Sequence, residues 1–335
     1  MDLFELTREL IDIPSVTGEE GRVGEYLSNY LHTLGYRVGQ QQVAEDRFNV
    51  IATTGSNPYV FFSTHMDTVP PFIESSADEE FIYGRGSCDA KAIIAAQIFA
   101  AERLRREGMS AVGLLFTVDE ELSSIGAQAA NNLREARECR YLINGEPTDN
   151  RLAIGTKGSM RVFITTEGRA AHSAYPEAGD SAIEKLLDIL QGIRAVEWPA
   201  NDFFGATTCN IGVLSGGTRP NVIPDKARAE LQIRLGIDIE HIKGALEEAI
   251  GSRGQLEYAS AHNPVRLTSV PGFEEFVARF TTDIPYLSNW GQPLLIGPGS
   301  ILDAHTQHER ISKRELEAAV DLYVRLGELL PPPKI

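Results

Sequence analysis

Tyr59-Val60-Phe61-Phe62-Ser63-Thr64-His65-Met66-Asp67 is an apolar run of strand length that passes directly into an imidazole and a carboxylate. Two later segments repeat the arrangement. The run Val112 to Val118 ends in Asp119-Glu120-Glu121, and the short run Tyr141 to Ile143 ends in Asn144-Gly145-Glu146. Between the first two lies an alanine-rich helical stretch, Ala90 to about Glu107. Continuous apolar strands alternating with helices specify an α/β layer, a mostly parallel sheet with helices on both faces. In open sheets of this kind ligand sites lie beyond the carboxyl ends of the strands, so three segments deliver ligand-type side chains to one edge.

Upstream, Thr17 and Glu20 have capping-box spacing, followed by Val23, Tyr26, Leu27, Tyr30, Leu31 and Leu34 at helical period and a stop at Gly35. Asn49 to Thr53 is another short strand. Downstream, the texture changes near Gly155. Arg161 to Glu167, Asn210 to Leu214 and Ala227 to Leu235 read as half-exposed strands, and Ser181 to Val196 and Ile239 to Ile250 as amphipathic helices, with a further strand near Leu256. Asn263-Pro264 marks a return to the first domain, which adds a buried strand at Leu294-Leu295-Ile296 and a last helix capped by Ser312 and Glu315. The predicted organisation is a catalytic domain from residues 1–155 and 265–335, with an inserted α+β domain over 156–264.

The 335 residues carry 31 basic and 47 acidic side chains, a formal charge of −16, which argues against nucleic acid and against an anionic membrane surface. A small-molecule substrate fits better. The N-terminus shows no basic stretch followed by an apolar one and no segment has the length of a membrane span, so a cytoplasmic location is expected. Cys88, Cys139 and Cys209 are too few and too scattered for a disulfide framework or a thiolate zinc site, and read as reduced thiols.

Asp89 opens the alanine-rich helix after Gly84-Arg85-Gly86-Ser87, and His305 follows the last apolar strand. Two divalent ions about 3.5–4 Å apart need a bridging carboxylate and nitrogen and oxygen ligands on either side. Asp89 suits the bridge, His65 and Glu146 one ion, Glu121 and His305 the other. Asp67, two residues past His65, is placed to hold the imidazole in its tautomer. Of the doublet Glu120-Glu121, one carboxylate ligates while its neighbour stays free as a general base. His32, His241, His262 and His308 have no such context and are assigned no role.

Together, Ser63-Thr64-His65-Met66-Asp67-Thr68-Val69-Pro70, Tyr83-Gly84-Arg85-Gly86 with Asp89-Ala90-Lys91, Asp119-Glu120-Glu121, Gly145-Glu146-Pro147 and His305 resemble the metal motifs of the co-catalytic zinc peptidase family. That family includes acetylornithine deacetylase, succinyl-diaminopimelate desuccinylase, aminoacylase and glutamate carboxypeptidases. The resemblance implies ligation by His65, Asp89, Glu121, Glu146 and His305, with Glu120 as base and zinc, cobalt or manganese as the ions. Gly168 to Pro176 and Gly216 to Pro224 resemble the family's lid, which is also its dimerisation domain. This implies a homodimer, an oxyanion contact from His172 to a neighbouring active site, and substrate contacts from Tyr175 and Asn221. Gly297-Pro298-Gly299-Ser300 resembles the loop of acetylornithine-type deacetylases, so Gly299 and Ser300, together with Arg234 and Lys157, are expected to receive the substrate carboxylate. The activity implied is metal-dependent hydrolysis of an N-acyl-L-amino acid. A dipeptidase or carboxypeptidase of the same family is the alternative, and a non-catalytic binding protein the reading from another class.

Overall fold

The structure, a computed structural model, describes residues 1–55, 58–109 and 111–332. The chain forms two compact units. The first comprises Met1–Ile154, Leu267–Phe276 and Thr282–Ile335; the second comprises Gly155–Arg266 and Val277–Thr281. The short piece Val277–Thr281 therefore departs from the sequence expectation, which assigned it to the first domain. It goes with the second because the Lys157 N–H donates to the Ala278 carbonyl at 3.0 Å.

In the first unit the sheet runs in the order Arg37–Ala44, Arg47–Thr53, Val112–Thr117, Val60–His65, Tyr141–Asn144, Gln292–Leu295, Leu152–Thr156. The four middle strands are parallel, as the alternation of strands and helices predicts, and the flanking ones are antiparallel. A hairpin supplies one antiparallel flank. Arg37–Ala44 turns straight into Arg47–Thr53 through Glu45-Asp46, a connection too short for parallel strands.

Successive side chains of the central strands point to opposite faces. Val60, Phe62, Leu114 and Phe116 join one cluster with the helices Leu3–Ile11, Gly21–Thr33, Lys91–Arg106 and Lys313–Leu329. Phe61, Leu115, Leu142 and Ile51 join another, with Ala127, Ala130, Ala136 and Trp290. Both faces are thus covered, which is why these strands read as unbroken apolar runs. Each fully buried Phe or Leu contributes about 1.5–3 kcal/mol relative to exposure, so the sheet is a rigid base for the groups at its carboxyl edge.

Two caps differ from expectation and one agrees. Thr17 and Glu20 form no capping box: Glu20 is the N-cap of Gly21–Thr33 without a side-chain bond, because Glu20 pairs with Arg47 and Thr17 Oγ1 donates to Asp67 Oδ2 at 2.8 Å. The first helix, Leu3–Ile11, carries a capping box from Asp2 and Glu5 that the sequence reading passed over. Ser312 does cap the last helix, accepting from the Glu315 N–H at 3.4 Å.

The second unit is a four-stranded antiparallel sheet in the order Thr208–Gly216, Lys226–Leu235, Gly158–Glu167, Gln255–His262. Met160, Val162, Ile164, Leu231 and Ile233 alternate onto one face and pack against the helices Ala182–Ala195 and Ile239–Ile250. The edge strand Thr208–Gly216 exposes Val213 and Leu214.

Candidate metal centre

The carboxyl ends of three parallel strands place His65, the Asp119-Glu120-Glu121 turn and Glu146 at one edge of the first unit. Asp89 and His305 reach the same point from loops. His65 Nε2 lies 2.9 Å from Asp89 Oδ1 and 3.9 Å from Glu146 Oε2. His305 Nε2 lies 3.3 Å from Asp89 Oδ2 and 2.8 Å from Glu121 Oε1. Asp89 therefore offers one oxygen to each histidine, with a further carboxylate beside each imidazole. This is the donor set that a bridged pair of divalent cations takes, and ligand atoms of His65, Asp89 and Glu121 fall within 4.8 Å of one another.

Electrostatics agree with that fit. Burial raises the carboxyls of Glu120 and Glu146 well above the usual carboxylate range, and that of Glu121 more modestly; their mutual repulsion and that of neighbouring acids adds to it. His65, despite burial, is held well above the ordinary imidazole value by Asp67 and Asp89, and His305 is raised to about 10 by Asp89 and Glu121. Burial works against ionisation of Asp89, yet the hydrogen bonds of His305 and His65 hold it below the usual range. A cluster of acids that burial and mutual repulsion press towards protonation, beside two imidazoles, is one whose charge bound cations would balance.

The backbone around the centre is fixed from behind. His65 Nδ1 donates to the Asp67 carbonyl at 2.9 Å, which leaves Nε2 to face Asp89. The Asp67 carboxylate lies 3.4 Å from His65 Nδ1, and it also accepts from the N–H groups of Glu120 at 3.0 Å and Glu121 at 3.1 Å. It thus orients the ring and clamps the doublet. Asp119, in left-handed conformation at φ 71°, pairs with Arg47 at 2.5 Å, and Arg47 in turn grips Glu20 through two contacts of 2.6 Å. Glu309 accepts from the N–H groups of Gly86, Cys88 and Asp89. Asp283, buried and pushed up to about 6, accepts from Thr117 Oγ1 at 2.8 Å and adds to the field on Glu120.

Residues 154–255 match the family described as Peptidase dimerisation domain. Over 336 residues the chain is 37% identical to a peptidase M20 domain-containing protein of Schizosaccharomyces pombe, covering 97% of this chain and 84% of that one. It is also 37% identical over 366 residues to a probable carboxypeptidase of Aspergillus terreus, covering 96% and 84%. The chain belongs to the M20 peptidase family. Its fold is that of a solved M20 family metallo-carboxypeptidase from Sulfolobus solfataricus, with a TM-score of 0.79 at 17% identity over 98% of this chain and 99% of that one. The M20 frame of a catalytic α/β unit with an inserted dimerisation domain is the frame observed here.

In this M20 chain the remaining expected site residues fall as follows. Gly299 is buried, with φ 85°, and a Cβ there would meet Cys88 Sγ at 2.6 Å; it serves close packing. Ser300 is half-buried, and its carbonyl accepts from Asp303 and from Cys88 Sγ. His172, Tyr175, Asn221, Arg234 and Lys157 all belong to the second unit. His172 and Tyr175 are exposed, and His172 pairs in register with Val222, beside Asn221. Arg234 Nη1 lies 3.4 Å from Ser159 Oγ and 3.2 Å from Thr281 Oγ1. Lys157 is buried, bonds the Ala206 carbonyl, and is lowered by burial and then by Arg279. Glu20 was read from sequence only as part of a helix cap, and Arg47, Asp283 and Glu309 were not singled out. Gly84-Arg85-Gly86 carried the one usable signal, since glycines before Asp89 leave N–H groups in need of an acceptor.

No helix among the described residues is long and apolar enough to cross a membrane.

Proposed function

We propose that this M20 chain hydrolyses peptide bonds as a carboxypeptidase or dipeptidase, with Glu120 as the general acid and base. The observation that carries the reading is Asp89 shared between His65 and His305, with Glu146 and Glu121 beside them and Glu120 as the spare acid. His65, Glu146, Glu121 and His305 would hold two divalent cations bridged by Asp89; zinc, cobalt and manganese all suit these ligands. The cations supply Lewis acidity and a more acidic attacking water. Glu120 takes the water proton as the C–O bond forms, then delivers it to the amide nitrogen as the C–N bond breaks, giving a carboxylate and an amine. Its affinity for a proton, raised by burial and by the neighbouring acids, favours the first half of that exchange.

Relatives named as carboxypeptidases favour a peptide substrate. So do the exposed apolar side chains on the loops that carry the ligands, Phe72, Leu122, Ile301 and Leu302, with Leu122 and Leu302 69% and 83% exposed. These suit an apolar residue better than the cationic side chain of ornithine. Deacylation of an N-acyl amino acid is the second reading, favoured by the Gly297–Ser300 loop and using the same centre on the same kind of bond. We further assign the oxyanion contact to His172, and carboxylate or substrate contacts to Tyr175, Asn221, Arg234, Lys157 and Ser300, within a homodimer formed through the second unit. Sedimentation showing only monomer at micromolar concentration would remove the dimer and any His172 contact across it.

The deciding experiment is a panel of dipeptides, C-terminally apolar peptides and N-acyl amino acids, including N-acetylornithine, assayed with the metal-loaded protein and again after chelation. Cleavage of peptides that disappears on chelation is expected. Cleavage confined to N-acyl amino acids supports the second reading instead, and activity that survives chelation refutes both.

A further inference from the structure

Four residues beyond His305, the side chain of Glu309 is fully buried and turned towards the loop that precedes Asp89. Its Oε1 accepts three backbone N–H groups, from Gly86 at 2.9 Å, Cys88 at 3.0 Å and Asp89 at 3.0 Å. Its Oε2 accepts from Nη1 of the equally buried Arg85. The Glu309 carbonyl also accepts from the Gly84 N–H at 3.1 Å, and the adjoining strand Arg310–Ser312 pairs with Phe81–Tyr83. Gly86 takes φ 89°, the left-handed conformation that lets neighbouring N–H groups converge on one anion. A Cβ at that position would meet Lys91 Cδ at 2.8 Å.

We propose that Glu309 is a positioning residue for the shared carboxylate: by gathering the N–H groups of the turn, including that of Asp89 itself, it sets where the two Asp89 oxygens stand relative to His65 and His305. The inference rests on the metal-centre reading above. One segment then supplies His305 to one cation position and locks the ligand common to both. A simple turn-stitching role would need bonds to Gly86 and Cys88 alone. The third bond reaches the ligand's own backbone, and bonds from N–H groups to an ionised acceptor are the strong kind. Groups that orient ligands from behind are worth about 10–100-fold in metal affinity.

The test uses the full chain reconstituted with cobalt(II), reading affinity against a competing chelator, stoichiometry, and the visible cobalt spectrum. Glu309→Ala should weaken cobalt binding by roughly 10–100-fold and alter the spectrum. Glu309→Gln keeps an oxygen for the three N–H groups and should restore most of the affinity, and Arg85→Met, which leaves Oε1 untouched, should stay close to wild type. A folded Glu309→Ala protein with wild-type affinity, two cobalt ions and an unchanged spectrum overturns the proposal. If Glu309→Ala does not fold, Glu309→Asp withdraws the carboxylate by one methylene, and wild-type affinity and spectrum in that variant overturn it equally. A wild-type chain that binds no cobalt overturns the centre and this inference with it; one that binds two ions but cleaves nothing overturns only the proposed function.

Discussion

Replacing Arg47 with Met tests whether the turn carrying the doublet is held by charge. Arg47 is 14% exposed in its side chain, while the side chains of Glu20 and Asp119 are 0% and 3% exposed, and it contacts both acids within 2.6 Å. Methionine keeps much of the volume but leaves two buried carboxylates without their cation. Removing one partner of a buried pair costs about 3–5 kcal/mol, and the partial exposure of Arg47 points to the lower end. At about 2–4 °C per kcal/mol for a unit of this size, the melting temperature should fall by roughly 6–12 °C. Adding Glu20→Gln to Arg47→Met should recover part of the loss, because one of the stranded charges is then gone. Calorimetry of the wild type and the two variants provides the measurement. A melting temperature within about 1 °C of wild type for Arg47→Met would refute the reasoning, as would a double variant less stable than the single one.

Glu120→Gln should keep both cations and lose about 10²–10⁴ in turnover, read by stoichiometry and kcat on the same sample; loss of metal would move Glu120 into the ligand set. His65→Ala should instead bind fewer cations, and full occupancy in that variant would exclude the ligation assigned to it. The pH dependence of the chelator-treated chain follows from His305, whose pKa rises from 6.5 to about 10 through Asp89 first and then Glu121. A raised value means stability fully present below about pH 6.5 and lost as the pH climbs through about 10, so urea midpoints should fall over that window and His305→Ala should flatten the fall. A midpoint that rises across the window would show that the imidazole is not held protonated by these acids.

How much of this was legible in the sequence follows from what a periodic pattern records. Val60 to His65 and Val112 to Thr117 are buried on both faces, so their runs are unbroken and their ends stand out as the places where His65 and Glu120-Glu121 begin. Arg37–Ala44 escaped notice because it is an exposed edge strand reading Arg-Val-Gly-Gln-Gln-Gln-Val-Ala, with little to bury. The sequence therefore displayed the parallel centre of the sheet but not this antiparallel flank, which the hairpin supplies. Thr17 and Glu20 show the complementary error: their spacing fits a cap, but a cap is worth only about 1 kcal/mol, and the bonds to Asp67 and Arg47 use the same oxygen atoms in a buried setting. Glu309 lies 220 positions from Asp89, and Asp283 166 positions from Thr117, so no local spacing carries either pairing. His65, Glu121 and Glu146 follow buried strands and Asp89 precedes a helix, so four of the five candidate ligands have a local signal, whereas the groups behind them need only arrive, from anywhere in the chain, at an N–H or a charge that burial has deprived of water.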